Sequence, residues 1–529
     1  MHVELLNTNL DRHVYKLCIV GSGPSGCYLA KSLLRNSKKE GIPIKIHILD
    51  SLSKPYGLIR YGVSPDKIEI KKLMDNFDNT LFKKYSDRIK FIGNVTVGHD
   101  IAIDDLRKKY DALILAIGGV QSFNSLQIKN FDKQILNKKV GGIFPSRDWV
   151  LYYNNHPKFR NILNGNSILG SEGASKLLDF NKDLTEEFPH SEEKCNLYFE
   201  NKSPLSHISN HCSIEYNENE INYGYTSTEF RNYILNSKER NAVVIGNGNV
   251  ALDITRLLSF YSYLQLSKNE YINPDYLNLI KTFNGTNNYN IDCPLFQNIY
   301  IVGRRSWIYN SFKYQLLKEF LDKSRKTKAN NDKWNRNIRV MMTEEDFNFS
   351  QFSVFEYESL DLIEKRKYKK MRSLFEEMVE NHLEYIHNLN TFKNNNFVNI
   401  YFKNPFSPSK IFTNEINIMK NEVLKPIQFI NGIEFKRNYD KVESVNVKDV
   451  GLIIPCQLLI TSLGFKVDTR QVFKDDRNIP KSQKDVSTCP IFKIGWMVTE
   501  GKGDIPLTYQ NSINMSNEII NYLKKLNRK

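Results

Sequence analysis

The chain has 529 residues, of which 40% are hydrophobic and 25% charged, and this size and composition predict a globular protein of two domains. No apolar run approaches the length of about 18 residues that spans a bilayer, so no membrane-spanning helix is predicted. The formal net charge of +15 allows nucleic acid, an acidic membrane surface or an acidic protein as a partner. No basic run interleaved with aromatic residues resembles a nucleic-acid motif, however.

The cysteines and the N-terminal residues bear on the compartment. The seven cysteines include no C-x-x-C pair and their number is odd, which argues against a disulfide framework, a cysteine-ligated metal site and a redox-active disulfide. This pattern favours a reducing compartment, and no metal site is predicted. The N-terminal residues form no apolar signal segment, and Glu4 and Asp11 are unusual in a mitochondrial transit peptide.

The first predicted unit is a strand, a glycine-rich turn and a helix, followed by a second strand. The strand covers 16–20, the turn reads Gly21-Ser22-Gly23-Pro24-Ser25-Gly26, and the helix extends to about residue 36. In such a turn the first glycine makes the bend, the second lets the backbone approach a pyrophosphate, and the third lets helix and strand pack closely. Asp50 closes the second strand at the spacing where a carboxylate accepts from an adenosine ribose; a residue that opens the next loop is the alternative.

A second unit of the same kind begins at residue 241. Its strand, 241–245, leads into Gly246-Asn247-Gly248-Asn249-Val250-Ala251, and the following strand, 299–303, ends in Arg304-Arg305. Guanidinium groups bind a phosphate bidentately, whereas a carboxylate would repel it, so this strand end favours NADP(H) over NAD(H). A solvated arginine pair is the alternative. One glycine-rich turn is weak evidence, but two favour a protein that passes electrons between two dinucleotides.

The other segments are less specific. Buried strands that end in glycine are predicted at 111–118 and 458–464, and a closing helix is predicted from Pro506 to about Lys525. Three Asn-rich segments, at about 160–238, 262–296 and 323–350, offer little apolar surface. We therefore expect them to be surface insertions that are disordered or loosely packed in part.

Residues 54–66 carry the most specific pattern in the chain. They read K-P-Y-G-L-I-R-Y-G-V-S-P-D and closely match the signature that follows the first nucleotide motif in adrenodoxin reductases. Segments 246–253, 303–305 and 495–496 match the same family in the same order. The chain therefore resembles the mitochondrial-type ferredoxin–NADP⁺ reductases, which are FAD flavoproteins that take hydride from NADPH and reduce a [2Fe–2S] ferredoxin.

The resemblance implies an α/β fold with two Rossmann-like dinucleotide-binding domains. An NADP domain, 119–463, would be inserted into a discontinuous FAD domain, 1–118 and 464–529. The flavin carries the chemistry in such enzymes, so no protein group is predicted to be catalytic. The family's FAD contacts fall on Gly21, Gly23, Pro24, Ser25, Gly26, Asp50, Gly57, Leu58, Arg60, Val97, Gly495, Trp496, Gly503, Asp504 and Ile505. Its NADP contacts fall on Gly246, Asn247, Gly248, Asn249, Val250, Arg304, Arg305 and, again, Gly503.

The chain departs from the family at three places. Lys67 replaces a histidine that the family places near flavin and ferredoxin, although the lysine could still meet an acidic ferredoxin. Leu316 replaces a glutamate that contacts NADP, and Glu319, one turn further on, could substitute for it. The family's Gly-Pro-Thr-Gly turn before the closing helix becomes Gly501-Lys502-Gly503.

A basic segment at 365–372 is the predicted docking surface for an acidic [2Fe–2S] ferredoxin. On a helix, Lys365, Lys369 and Arg372 share one face, and such a face would steer an acidic partner. A solvated helix face is the alternative. The family resemblance also implies a monomer in mitochondria, with at most peripheral membrane contact. The predicted docking residues are Lys365, Arg366, Lys369, Lys370 and Arg372.

Two other functions are compatible with the same motifs. An NADPH dehydrogenase would keep the fold but reduce a quinone or another protein. A relative of the glutamate synthase small subunit belongs to this first class, but it would bring a cysteine-rich cluster segment, which the sequence lacks. A non-enzymatic, basic RNA-binding protein could retain the nucleotide fold with an empty cofactor site.

Overall fold

The structure is a computed structural model. It describes residues 13–119, 121–122, 140–160, 162–163, 225–281, 294–329, 337–349, 354–388, 397–420, 423–438, 451–466, 489–499 and 505–526. Within these ranges the chain forms two parallel sheets with helices packed on them, together with two smaller antiparallel sheets. The predicted α/β fold class with two Rossmann-like units is confirmed.

The first parallel sheet has five strands in the order β16-β4-β1-β2-β3. All neighbouring strands are parallel, and β16, which follows β4 by more than 370 residues, pairs with it at one edge. The first sheet is therefore completed by a segment far along the sequence. Its strands are β1 (Tyr15–Val20), β2 (Ile44–Leu49), β3 (Ile89–Ile92), β4 (Ala112–Leu115) and β16 (Ile491–Lys493).

The second parallel sheet has six strands in the order β6-β14-β7-β8-β10-β9, and all of them fall between β4 and β16 in the chain. A short antiparallel pair, β5 with β15, joins the two chain segments that pass between the parallel sheets. An antiparallel ribbon of β11, β12 and β13 follows β10. These strands are β5 (Gln121–Ser122), β6 (Ile143–Pro145), β7 (Asn241–Ile245), β8 (Asn298–Val302), β9 (Asn337–Met341), β10 (Phe397–Lys403), β11 (Phe406–Lys420), β12 (Val423–Arg437), β13 (Leu452–Pro455), β14 (Leu458–Thr461) and β15 (Phe465–Lys466).

The helices cover both parallel sheets. They are α1 (Pro24–Glu40), α2 (Gly57–Tyr61), α3 (Ile68–Lys71), α4 (Leu73–Phe77), α5 (Ile103–Lys109), α6 (Ser146–Tyr153), α7 (Ser227–Leu235), α8 (Asn249–Ser259), α9 (Tyr263–Leu266), α10 (Pro274–Ile280), α11 (Tyr314–Ala329), α12 (Glu344–Phe349), α13 (Val354–Ser359), α14 (Leu362–His387), α15 (Trp496–Thr499) and α16 (Ile505–Leu526). A π-helical turn lies at Asp78–Lys83 and a 3₁₀ turn at Trp307–Tyr309. Among the described helices, none is both long and apolar enough to cross a membrane.

Local sequence explains where the helices next to the glycine turns begin and end. Helix α1 starts with Pro24, whose fixed φ suits a first helical position, and stops at Gly41 in the left-handed conformation. Its apolar face packs against β1 and the closing helix α16. The prediction of a closing helix from residue 506 to about 525 is confirmed.

The described parts of the Asn-rich segments are packed, and the expectation that these segments are disordered or loosely packed in part stays a prediction. Helix α7 buries Phe230 completely, and α10 buries Tyr276 completely in the core of the second sheet. Strand β9 forms an edge of that sheet and buries Ile338. Large apolar side chains pack these described parts into the core, although the average composition of each segment is polar. Residues 164–224 and 282–293 lie outside the described ranges.

Candidate dinucleotide-binding sites

The first glycine turn connects β1 to α1 and is closed on two sides by the chain itself. Gly21 has a φ of +106°, and a Cβ there would collide with the backbone carbonyl of Ala116. A Cβ on Gly26 would collide with the carbonyl of Gly21. Around Gly23, by contrast, no described atom outside the adjoining residues lies within 4 Å of a Cβ position. The turn therefore leaves open space at its second glycine, where a pyrophosphate would approach.

Asp50, at the end of β2, holds the turn in place. Its carboxylate accepts from the Ser22 backbone N–H at 2.7 Å, from the Ser22 hydroxyl at 2.5 Å and from the Leu52 N–H at 2.9 Å. Burial raises the pKa of Asp50, and these hydrogen bonds oppose that rise. The carboxylate thus lies beside the turn as the sequence predicted, but it is bonded to Ser22. Its contact with a ribose remains a prediction.

The signature segment after β2 packs directly on the first turn. Tyr56 has a φ of +83° and donates its N–H to the carbonyl of Ser22 at 3.0 Å. This places Gly57 so close that a Cβ on it would lie 3.5 Å from the Cα of Gly23. Leu58 is exposed, and Arg60 Nε donates to the carbonyl of Pro55 at 3.0 Å. The segment therefore forms one wall of the open space.

The C-terminal part of the chain forms a second wall. Gly495 has a φ of +72°, and a Cβ on it would collide with the hydroxyl of Ser25. Trp496 starts the short helix α15 and is partly exposed. Val97 lies in an apolar cluster next to the sheet, and Ile505 begins α16. Gly501, Lys502, Gly503 and Asp504 lie outside the described residues, so their predicted contacts remain predictions.

The second glycine turn, between β7 and α8, is built like the first. Gly246 has a φ of +130°, and a Cβ there would collide with the carbonyl of Ser462. Ala251, at the third position of the motif, is completely buried. Around Gly248, no described atom outside the adjoining residues lies within 4 Å of a Cβ position. The backbone of this turn is braced from outside, because Asn247 accepts from the Ser311 N–H at 2.9 Å.

The arginine pair lies just beyond β8, next to the second turn. Both Arg304 and Arg305 are exposed, and neither forms an ion pair with a carboxylate in the described part of the chain. The Asn249 side chain accepts from the Lys313 N–H at 3.1 Å, and Val250 lies in the first turn of α8. The structure thus brings the predicted NADP residues of this turn and the arginine pair to the same edge of the second sheet.

Leu316 and its suggested substitute Glu319 both lie on α11 but have different surroundings. Leu316 is partly buried against the core of the second sheet, and its apolar side chain offers no charged contact. Glu319 is exposed and accepts from the Gln315 amide at 3.3 Å. Its predicted role as a substitute remains a prediction.

A buried ionic cluster links the two units, and most of it was not predicted from the sequence. Asp66 accepts from Arg256 Nε at 2.6 Å and from its terminal nitrogen at 3.0 Å, and the Tyr261 hydroxyl donates to the same carboxylate at 2.8 Å. Lys67 Nζ lies 2.7 Å from Asp253 Oδ1. Arg256 follows Asp253 by three residues on α8, so their shared helix face was the available signal.

The cluster lowers the pKa of Asp66 and engages the side chain of Lys67. Burial alone would raise the pKa of Asp66, but the bonds from Arg256, Ser64 and Tyr261 outweigh it and hold this pKa at about 2. The Lys67 side chain is only 21% exposed and is engaged with Asp253. Lys67 therefore connects the two units, which does not support its suggested contact with a ferredoxin.

The basic segment is helical as predicted, but some of its basic side chains are hydrogen-bonded within the protein and others are exposed. Lys365 donates to the carbonyl of Glu358 at 2.9 Å, and Arg372 donates to Glu376 at 2.7 Å. The predicted common face of Lys365, Lys369 and Arg372 is thus partly neutralised. The exposed basic residues of this segment are Arg366, Lys367, Lys369 and Lys370.

Comparisons with known proteins agree with this geometry. No protein-family model matches the chain. A probable mitochondrial NADPH:adrenodoxin oxidoreductase of Schizosaccharomyces pombe is 36% identical over 146 residues, which cover 27% of the chain and 28% of that protein. The NADPH-ferredoxin reductase FprA of Mycobacterium leprae is 37% identical over 148 residues, or 28% of the chain and 30% of that protein. The resemblance to the adrenodoxin reductase family is confirmed.

Longer matches are more distant. The probable mitochondrial NADPH:adrenodoxin oxidoreductase of Saccharomyces cerevisiae is 26% identical over 325 residues, which cover 60% of the chain and 48% of that protein. The match thus spans less than a third of the first two relatives and about half of the third. The structure of Mycobacterium tuberculosis FprA in complex with NADPH superposes with a TM-score of 0.61 at 22% identity, covering 98% of the chain and 86% of that structure. This last likeness shows the fold.

Proposed function

We propose that the protein is an FAD-dependent oxidoreductase that takes electrons from NADPH as hydride and passes them singly to a [2Fe–2S] ferredoxin. The observation that carries the proposal is the pair of glycine turns, each closed at its first glycine and open at its second. FAD, when bound, supplies the chemistry of accepting two electrons and releasing them one at a time. The protein residues bind and orient the two dinucleotides.

The first turn fits FAD. The N-terminus of α1 presents free N–H groups and a positive dipole end toward the open space at Gly23, which suits a pyrophosphate. Asp50 fixes the turn through its bond from Ser22, and we propose that its carboxylate also accepts from a ribose hydroxyl. Gly57 lies beside Gly23 and Gly495 lies beside Ser25, so both segments border the first turn.

The second turn fits NADPH. Helix α8 begins beside the open space at Gly248, and the exposed guanidinium groups of Arg304 and Arg305 lie past the end of the next strand. This is where the ribose phosphate of NADPH would lie if the nucleotide follows the usual course across a parallel sheet. Two unpaired guanidinium groups would bind that phosphate and discriminate against NADH.

The ionic cluster supports a fixed relation between the two sites. Asp66 is the last residue of the signature segment that borders the first turn, and Arg256 lies on the helix that starts at the second turn. Their hydrogen-bonded pair is nearly buried, with 4% and 10% of the side chains exposed. Such a contact restricts how the two turns can move relative to each other, and hydride transfer requires close, oriented reactants.

The exposed basic residues of α14 support an acidic acceptor. The aromatic ring of Tyr368 on this helix stacks on Trp307 at 5.6 Å, and Trp307 is two residues beyond Arg305. The basic segment therefore lies near the same edge of the second sheet as the arginine pair. We propose that Arg366, Lys369 and Lys370 steer an acidic ferredoxin there, with a strong dependence on ionic strength.

We also propose domain boundaries, a subcellular location and an oligomeric state. The β5–β15 pair, at residues 121–122 and 465–466, supports an NADP domain of 119–463 inserted into an FAD domain of 1–118 and 464–529. A mitochondrial location is proposed from the mitochondrial relatives, although bacterial FprA proteins match as well. The proposed monomeric state rests on the family resemblance alone. Subcellular fractionation and light scattering would test these two points.

Anaerobic stopped-flow absorbance of the purified protein tests the central proposal. Rapid bleaching of the oxidised flavin by NADPH, with little effect of NADH, is expected. A missing flavin band, or equal rates with both nucleotides, would refute it. A following mix with ferredoxin or with a quinone separates the proposed acceptor from that of a general NADPH dehydrogenase. The comparisons favour the reductase over the RNA-binding alternative.

A further inference from the structure

The main chain that carries the arginine pair is enclosed by two other segments. Gly303 donates its N–H to the carbonyl of Lys403 at 2.9 Å and accepts from the N–H of Phe406 at 2.8 Å. A Cβ on Gly303 would collide with the amide of Asn404, so the missing side chain permits this approach. The start of the Arg304–Arg305 segment is thereby held against the connection between β10 and β11.

Each arginine then has its main-chain carbonyl bound by a different asparagine. The Asn404 amide donates to the carbonyl of Arg305 at 2.6 Å. The Asn438 amide donates to the carbonyl of Arg304, also at 2.6 Å, and to the Ser407 hydroxyl at 2.9 Å. Asn404 is completely buried, whereas Asn438 is partly exposed. Both bonds leave the guanidinium groups free to face solvent.

One buried carboxylate ties the two asparagine segments together. Asp346 Oδ2 accepts from Lys403 Nζ at 2.8 Å, and Asp346 Oδ1 accepts from an Arg437 terminal nitrogen at 2.9 Å. Lys403 immediately precedes Asn404, and Arg437 immediately precedes Asn438. The Asp346 side chain is only 1% exposed and forms ion pairs with both residues. The two asparagines are therefore anchored to a common point.

We propose that Asn404 and Asn438 are positioning residues that fix the arginine pair for the ribose 2′-phosphate of NADPH. They thereby determine the preference of the protein for NADPH over NADH. This inference rests on the proposed NADPH dependence. An exposed arginine loses much conformational freedom when it binds, and a fixed main chain reduces the part of that cost that lies in the backbone. Without the asparagine bonds, the arginines would bind the phosphate from a more mobile segment.

The experiment measures binding of adenosine nucleotides by calorimetry, which is independent of turnover. Adenosine 2′,5′-bisphosphate carries the 2′-phosphate, and adenosine 5′-monophosphate does not. In Asn438→Ala and in Asn404→Ala, binding of the bisphosphate should weaken by about threefold to tenfold, as for the loss of one hydrogen bond. Binding of the monophosphate should stay unchanged, because this nucleotide lacks the 2′-phosphate that the arginines bind. A general disruption of the site would instead weaken the binding of both nucleotides. Asn388→Ala is the matched control, since its amide also donates to a backbone carbonyl, at the far end of α14.

Two comparisons keep the inference separate from the proposed function. If Arg304→Ala with Arg305→Ala leaves the preference for the bisphosphate intact, the NADPH assignment itself fails. If the arginine variants lose that preference and both asparagine variants keep it, the positioning role is refuted. Replacing the buried Asn404 could prevent folding, whereas replacing the partly exposed Asn438 should not, so the Asn438 variant alone can still test the proposal. Unchanged binding of the monophosphate verifies that each variant is folded.

Discussion

Replacing Asp66 by asparagine should destabilise the contact between the two units. The substitution keeps the shape of the side chain but removes the charge that Arg256 contacts through two nitrogens. Among the described residues, Arg256 would then keep only Asp253, at 2.9 Å, as an ionic partner. Because the Arg256 side chain is 90% buried, its remaining charge would be poorly compensated.

The pKa of Asp66 gives the expected magnitude. It is held at about 2, against an ordinary value of 3.8. At 1.36 kcal/mol for each pH unit, this difference corresponds to roughly 2.5 kcal/mol in favour of the charged carboxylate. Since the folded-state pKa is the lower one, this stabilisation is complete above the unfolded value and is lost as the pH falls toward 2. At neutral pH, Asp66→Asn should therefore lower the free energy of unfolding by about 2 to 3 kcal/mol.

Thermal and urea unfolding, followed by circular dichroism and flavin fluorescence, would measure this loss. A double-mutant cycle with Arg256→Gln should show a coupling of at least about 1 kcal/mol between the two positions. Asp105→Asn is the matched control, because Asp105 pairs with Lys108 on the surface of α5 and should contribute little. A loss for Asp66→Asn no larger than that of the control would refute the proposed connection between the units.

Two further predictions concern the open spaces and the basic helix. Gly23→Ala and Gly248→Ala should fold normally, since a Cβ meets no described atom within 4 Å beyond the adjoining residues. The first should lose bound FAD, and the second should raise the KM for NADPH about tenfold or more; unchanged flavin content and KM would contradict both. Arg366→Glu with Lys370→Glu should slow ferredoxin reduction about tenfold at low salt and spare ferricyanide reduction. An equal loss with both acceptors would exclude this docking surface.

Local features of the site could be predicted from the sequence because they depend on neighbouring residues. The bend at Gly21, the close packing at Gly26 and the helix start at Pro24 follow from backbone sterics within one turn. The placement of Arg304 past β8 follows from the strand period and length. The same reasoning predicted that Asp50 would reach the turn, but not that Ser22 would occupy its carboxylate.

Contacts between distant segments could not be predicted in this way. Asp66 and Arg256 are 190 residues apart, and Arg304 and Asn438 are 134 residues apart. No local periodicity connects such pairs, because the sheet order decides which strand ends meet. The average composition of segment 262–296 also did not predict α10, where Tyr276, Leu279 and Ile280 are buried. A few apolar side chains can stabilise a helix in a segment whose average composition is polar.

The edge strand β16 has a consequence for synthesis of the chain on the ribosome. Its partner β4 ends at Leu115, whereas β16 begins at Ile491. The ribosome must therefore translate about 375 further residues before β16 can pair with β4 and complete the first sheet. At about 5 to 20 residues per second, the delay is roughly 20 to 75 seconds. During that time the face of α1 that α16 later covers would be exposed on the nascent polypeptide, and chaperones bind such apolar surfaces. Co-translational maturation of the first unit is thus tied to β16 and α16, which are translated long after β4.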